Sequence, residues 1–144
     1  MTVKEIKEFF RQIRREQGEI NHLGRMIKQE ELLLLPKAIV YDKDKVQVSP
    51  EDKFTEVCAR ISDMQEEFGR SLAKLKTKQM EAEKMIRSLE DPDEREVLRW
   101  YYLTTENGRL LTWQEVAVHM NYYKRHVIRI HGNALIHLEK HGTK

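Results

Sequence analysis

The chain has one cysteine in 144 residues, Cys58, so it can close no internal disulfide, and disulfide-framework folds are excluded. A lone thiol fits a reducing cytosol. The longest apolar run, Leu32 to Leu35, falls far short of the roughly 20 residues that cross a bilayer, so no membrane association is expected. The N-terminal stretch MTVKEIKEFF is charged from its fourth residue, which speaks against a secretory leader and makes a soluble, cytoplasmic protein the expectation. Glycines are few, and none of them builds a phosphate-binding loop. Neither sign of charge dominates, with 26 Lys and Arg against 24 Asp and Glu.

Groups that carry catalysis are missing in any usable arrangement. Paired acids occur only where helix faces are solvated, and Cys58 adjoins an apolar stripe with no histidine near it in sequence. His137 and His141 stand one helical turn apart, and His126 and His131 lie close by. No cysteine or acidic pair completes either set as a metal site, so phosphate contact or plain exposure is the expected role. Asp42 and Asp44 open with the spacing of a calcium loop, but Val46 and Lys53 stand where oxygen ligands are required. No enzyme activity, metal, cofactor or small-molecule substrate is expected.

What the chain does have, over its first two thirds, is a seven-residue repeat. Ile6, Ile13, Ile20, Ile27 and Leu34 recur at that interval, with Phe9 and Leu23 on the intervening seam positions. Glu16 and Glu30 fall on the same seam, and Gly18 and Gly24 each weaken the helix by about 1 kcal/mol relative to Ala. A second helix starts at Ser49-Pro50-Glu51-Asp52: a cap, a proline suited to the first position, and acids at the positive end of the helix dipole. Its repeat runs Phe54, Ile61, Phe68, Leu75, Ala82, Leu89, with Val57, Met64 and Met85 beside it. Two such helices joined by a loop predict an antiparallel hairpin, with parallel self-association as the competing solution. Within the loop, Ala38 to Tyr41 and Lys45 to Val48 read as short extended pieces.

The second helix is expected to end near Glu90, where Asp91-Pro92-Asp93-Glu94 signals a new start: Asp91 as cap, Pro92 first, Glu94 closing a capping box. The next helix, to about Leu103, places Val97, Leu98, Tyr101 and Tyr102 at core spacing, and residues 104–111 read as a loop. Leu111 to Leu135 then has the pattern of a helix-turn-helix. Counted from Trp113, Val116, Ala117, Met120, Tyr122, Val127 and Ile130 fall where two short helices pack on each other, with Ala117 at their closest approach. Thr112 caps the first helix and Glu115 completes its capping box, while Asn121 suits a turn that needs positive φ. Trp100 and Trp113 read as core aromatics.

The second helix of this pair leaves Lys124, Arg125, Ile128 and Arg129 pointing away from the packed face. In a helix-turn-helix that face enters the major groove, where Arg and Lys bond guanine edges and phosphates. Residues 95–144 hold 8 Lys and Arg against 4 Asp and Glu, and five of the 6 histidines, so basic character gathers on this unit. Double-stranded DNA is therefore the expected partner. Arg125, Arg129 and Lys124 are placed on base edges or phosphates, and Tyr123 and His126 assist. Ile128 is set against a thymine methyl or a protein surface, and Arg109 and Thr112 against the DNA backbone.

The runs Asp91 to Tyr102, Leu111 to Ala117, Val127 to Ile130 and Ala134-Leu135 together resemble region four of bacterial sigma factors, over roughly the last fifty residues. That resemblance implies a grip on the promoter −35 element and contact with the polymerase flap. Sigma region four usually has Glu at the position of Arg125 and Arg at that of Ile128, which implies a different base readout here. Nearly the whole chain, through its heptad arm, Tyr41-Asp42, Val46 to Pro50 and His126 to Leu135, resembles small phage and prophage proteins of Gram-positive bacteria. These form a domain family of unknown function usually described as late-gene transcriptional regulators. The combined expectation is an all-α protein with two domains: residues 1–90 as a heptad hairpin with a loop at 36–49, and 91–144 as a sigma-like helix-turn-helix domain. Its expected role is regulation of transcription, as a homodimer with host RNA polymerase a candidate second partner. Open alternatives are a packaging adaptor of the small terminase kind and a polymerase-binding protein that does not read DNA.

Overall fold

Burial follows the isoleucine repeat. In the computed structural model, which describes residues 1–35 and 50–142, helix α1 (Val3–Leu32) buries Ile6, Ile13, Ile20 and Ile27, and helix α2 (Pro50–Arg87) buries Val57, Ile61, Leu75, Ala82 and Ile86. Among the described residues the fold is all-α apart from one small hairpin. The expected cap at Ser49 and the extended pieces of the loop lie outside the described residues.

The second row of the seam differs from the expected one. Phe10 is fully buried and Phe9 only half so, because the stripe advances by four residues from Ile6 and then by three to Ile13. Glu16 and Glu30, which stood on the expected row, therefore lie at the rim, where they pair with Lys78 and Arg60 at 2.5 and 3.0 Å. Phe54 is exposed rather than on the seam.

By its packing the chain divides into two compact units, Met1–Glu19 with Lys74–Lys144, and Ile20–Ala73. In the second unit the helices run antiparallel, since Gly24 lies against Phe68 while Glu30 pairs with Arg60 further along α1 and earlier along α2. In the first unit α2 ends at Arg87, slightly before the expected Glu90. Asp91 then caps helix α3 (Pro92–Leu98), its carboxylate accepting from the Asp93 N–H at 2.9 Å. Arg95 closes the joint by donating to the carbonyls of Leu89 and Glu90.

Helix α3 passes directly into a π-helix, Arg99–Leu103. The expected loop that follows is a β-hairpin, β1 (Thr105–Glu106) paired antiparallel with β2 (Arg109–Leu110) through Asn107-Gly108. Helices α4 (Trp113–Met120) and α5 (Lys124–Gly142) complete the unit. Val97, Leu111, Val116, Ala117, Val127 and Ile130 form its core, with Trp100, Tyr101, Trp113 and Met120 packed against it. The N-terminal end of α1 belongs to the same unit: Phe10 meets Tyr102 with ring centres 5.1 Å apart, and Arg14 donates to the carbonyl oxygens of Tyr101 and Leu111 at 2.6 and 2.7 Å. Among the described residues no helix is long and apolar enough to cross a membrane.

Candidate nucleic-acid interface

Local sequence fixes the bihelical unit. The Thr112 hydroxyl accepts from the Glu115 N–H at 3.2 Å, and the Glu115 carboxylate accepts from the Thr112 N–H at 3.1 Å, a complete capping box. The Glu115 carboxyl is held below its ordinary range, first by that backbone hydrogen bond. At the other end of α4, Asn121 adopts φ 58° and ψ 39°, the left-handed conformation expected for it. The Asn121 N–H reaches the Val118 carbonyl and the Tyr122 N–H the Ala117 carbonyl, the paired bonds of a Schellman turn. Fully buried Ala117 lets α5 approach α4 closely.

Tyr122 departs from its expected place in the core. Its hydroxyl donates to Asp93 at 2.6 Å, and its ring stands edge-on to His126 at 4.7 Å, so it ties the turn to the start of α3 at the surface. Glu94 also differs from expectation. Instead of closing a capping box it is buried at 4 % exposure, and its carboxylate lies 2.6 Å from His137 Nδ1. One of the histidines considered for a metal thus has a carboxylate partner.

The first two turns of α5 carry the predicted reading residues, and nearly all face solvent together. Tyr123, Arg125, His126 and Arg129 line a shallow depression of 350 Å³. Lys124 is exposed on the same turns, and Ile128 is 42 % exposed. Tyr123 stands just before the helix at 87 % exposure. Arg109 and Thr112 sit apart from this group. Arg109 makes a two-pronged ion pair with Glu115, at 3.2 and 2.8 Å, and Thr112 is the cap of α4.

Behind the exposed face lies an aromatic layer. Tyr101 stacks on Trp113 with ring centres 3.6 Å apart, and Trp100 stacks on His119 at 4.2 Å. His119 in turn pairs with Glu106 of the hairpin. Tyr102 and His131 share a buried hydrogen bond of 2.7 Å. Burial, with Lys7 and Arg11 nearby, pushes the His131 imidazole down to about 4, and burial raises the Tyr102 phenol far above its ordinary value. Both groups are therefore neutral at physiological pH.

These features define a class: a small all-α protein in which two closely packed helices, the capped α4 and α5, are backed by the ends of α1 and α2. The chain matches the family described as "Protein of unknown function (DUF1492)" over residues 35–139, and it belongs to that family. No curated protein and no solved structure matches it.

Proposed function

We propose that the chain is a sequence-specific DNA-binding transcriptional regulator of the phage and prophage type, with a C-terminal domain of the sigma-region-four kind. It acts on phage genes together with host RNA polymerase. The observation that carries this reading is where the unpaired arginines fall. Among the described residues every arginine except Arg11, Arg125 and Arg129 has a partner within the chain. Two of those three stand with unpaired Lys124 on the exposed first turns of α5. A guanidinium left without a carboxylate keeps its whole fork of donors for an outside acceptor, and phosphates and guanine edges fit that fork. Arg109 is the weaker member of the expected set, because its fork already holds Glu115.

Met26, Leu32, Leu33, Leu35 and Phe54 are exposed apolar side chains of the second unit, and they suit it to the homodimer or polymerase contact. The DNA reading is tested by anisotropy titration of duplex DNA flanking the gene. The three phosphate contacts of α5 contribute about −3 to the slope of log affinity against log salt. The double variant Arg125→Ala, Arg129→Ala should lose about 2 of that slope and at least tenfold in affinity. If that variant stays folded and binds as tightly as the parent, these residues are not the readers.

A further inference from the structure

We propose that Lys7 and Arg11 of α1 form a second phosphate-binding surface, which grips the DNA backbone beside the α5 face. This rests on the DNA reading above and extends it to a helix that the heptad pattern marks only for packing. Arg11 is the remaining arginine without a partner among the described residues. Lys4, Lys7 and Arg11 follow one another at three and four residues, so they form a single stripe along α1. The nearby acid that could neutralise it, Glu8, is held by Arg15 at 2.7 Å.

The position of α1 brings this stripe to the correct side of α5. The Val3 N–H donates to Glu139 at 2.7 Å, and Lys7 and Arg11 come close enough to His131 to weaken its hold on a proton. From its start α1 thus passes along α5 from Glu139 toward His131. On the wheel of α5, Glu139 shares a narrow sector with Ile128 and Gly132, and Arg125 is next to that sector. The edge of α5 bordered by α1 is therefore the edge that leads to the free cations. Arg11 is exposed and Lys7 half-buried, so the lysine stem can pack while its ammonium reaches water or phosphate. No base-reading geometry is involved, and the contact is independent of sequence.

The test uses the full chain and a random-sequence duplex of about 30 base pairs, long enough for phosphate contacts beyond one groove face. Salt slopes are compared for the parent, for Arg11→Gln, for Lys7→Gln with Arg11→Gln, and for Lys76→Gln on an exposed position of α2. Circular dichroism confirms the fold of each. Arg11→Gln should reduce the slope by about 1 and the double variant by about 2, while Lys76→Gln leaves it unchanged. Because Lys7 is half-buried, the single Arg11→Gln variant decides the matter if the double variant fails to fold. If Arg11→Gln keeps the parent slope while the Arg125→Ala, Arg129→Ala variant loses it, the α1 surface is refuted and the DNA reading stands. An equal loss in Lys76→Gln would reduce the effect to net charge and overturn the proposal. A parent without salt-dependent affinity for DNA would overturn both.

Discussion

Arg14 shows how much a single side chain can hold. Its guanidinium donates to the carbonyl oxygens of Tyr101 and Leu111 and lies over the Tyr101 ring at 3.8 Å, so one fork joins α1, the π-helix and the residue before the cap of α4. Arginine suits this place because its planar donors reach two acceptors at fixed angles; lysine offers a point charge that satisfies one. Arg14→Met leaves both carbonyls without their donor and should cost about 3 kcal/mol, seen as a lower urea midpoint with an unchanged slope. Arg14→Lys should recover less than half of that loss. A loss below about 0.5 kcal/mol in the methionine variant, no more than an ordinary surface change, would show that water replaces the clamp. Nothing in the sequence marks Arg14, since its acceptors lie 87 and 97 residues away. Thr112, Glu115 and Asn121 were legible because each acts on backbone within a few residues of itself.

At the scale of elements, the hairpin and the π-helix are the parts that pattern reading turned into a loop and a plain helix. Asn107 and Gly108 both have positive φ, 54° and 74°, the conformation of a two-residue type I′ turn, for which Asn-Gly is the favoured pair. A Cβ on Gly108 would meet nothing within 4 Å, so Gly108→Ala is a test of backbone strain alone. It should destabilise the protein by about 1 kcal/mol in urea unfolding, and Asn107→Gly should be neutral to within a few tenths. An alanine variant as stable as the parent would mean that the turn relaxes without cost. Strands of two residues are too short to show alternation, which is why the dipeptide had to be read without its usual flanks. The π-helix was illegible for another reason. Its residues have helical spacing, and the partners of its rings are distant: Tyr101 lies on Trp113 and Tyr102 on His131. The long helices were legible because burial repeats along them; the second row of α1 was missed by one residue because Phe9 and Phe10 are both apolar and only a distant partner, the Tyr102 ring against Phe10, tells them apart.

At the scale of the whole chain, charge is spent in two ways. Most arginines and several acids are joined into pairs, and a small remainder is left facing out on α5 and α1. That remainder also acts inward, because Lys7 and Arg11 add to burial in keeping His131 neutral. Folding stability must then depend on pH in a defined window. The folded imidazole titrates at about 4 and the unfolded one near its ordinary 6.5. Above 6.5 neither state binds the proton and the stability is complete; as pH falls below that value the unfolded chain takes up a proton that the folded chain refuses, and stability is lost until about pH 4. A shift of that size corresponds to about 3 kcal/mol. Glu83, held low first by its hydrogen bond from Arg99, and Glu115 work at lower pH, since their stabilisation is lost only as pH falls below the ordinary carboxylate value of 4.5. The His131→Gln variant separates the two effects, because an amide can still meet the Tyr102 hydroxyl but does not titrate. Urea unfolding measured from pH 7 to 4 should show the parent losing about 3 kcal/mol more than this variant, most of it before the carboxylates begin to protonate. Parallel pH profiles for the two proteins would mean that His131 is protonated in the folded state after all, and that the buried pair with Tyr102 opens to admit the charge.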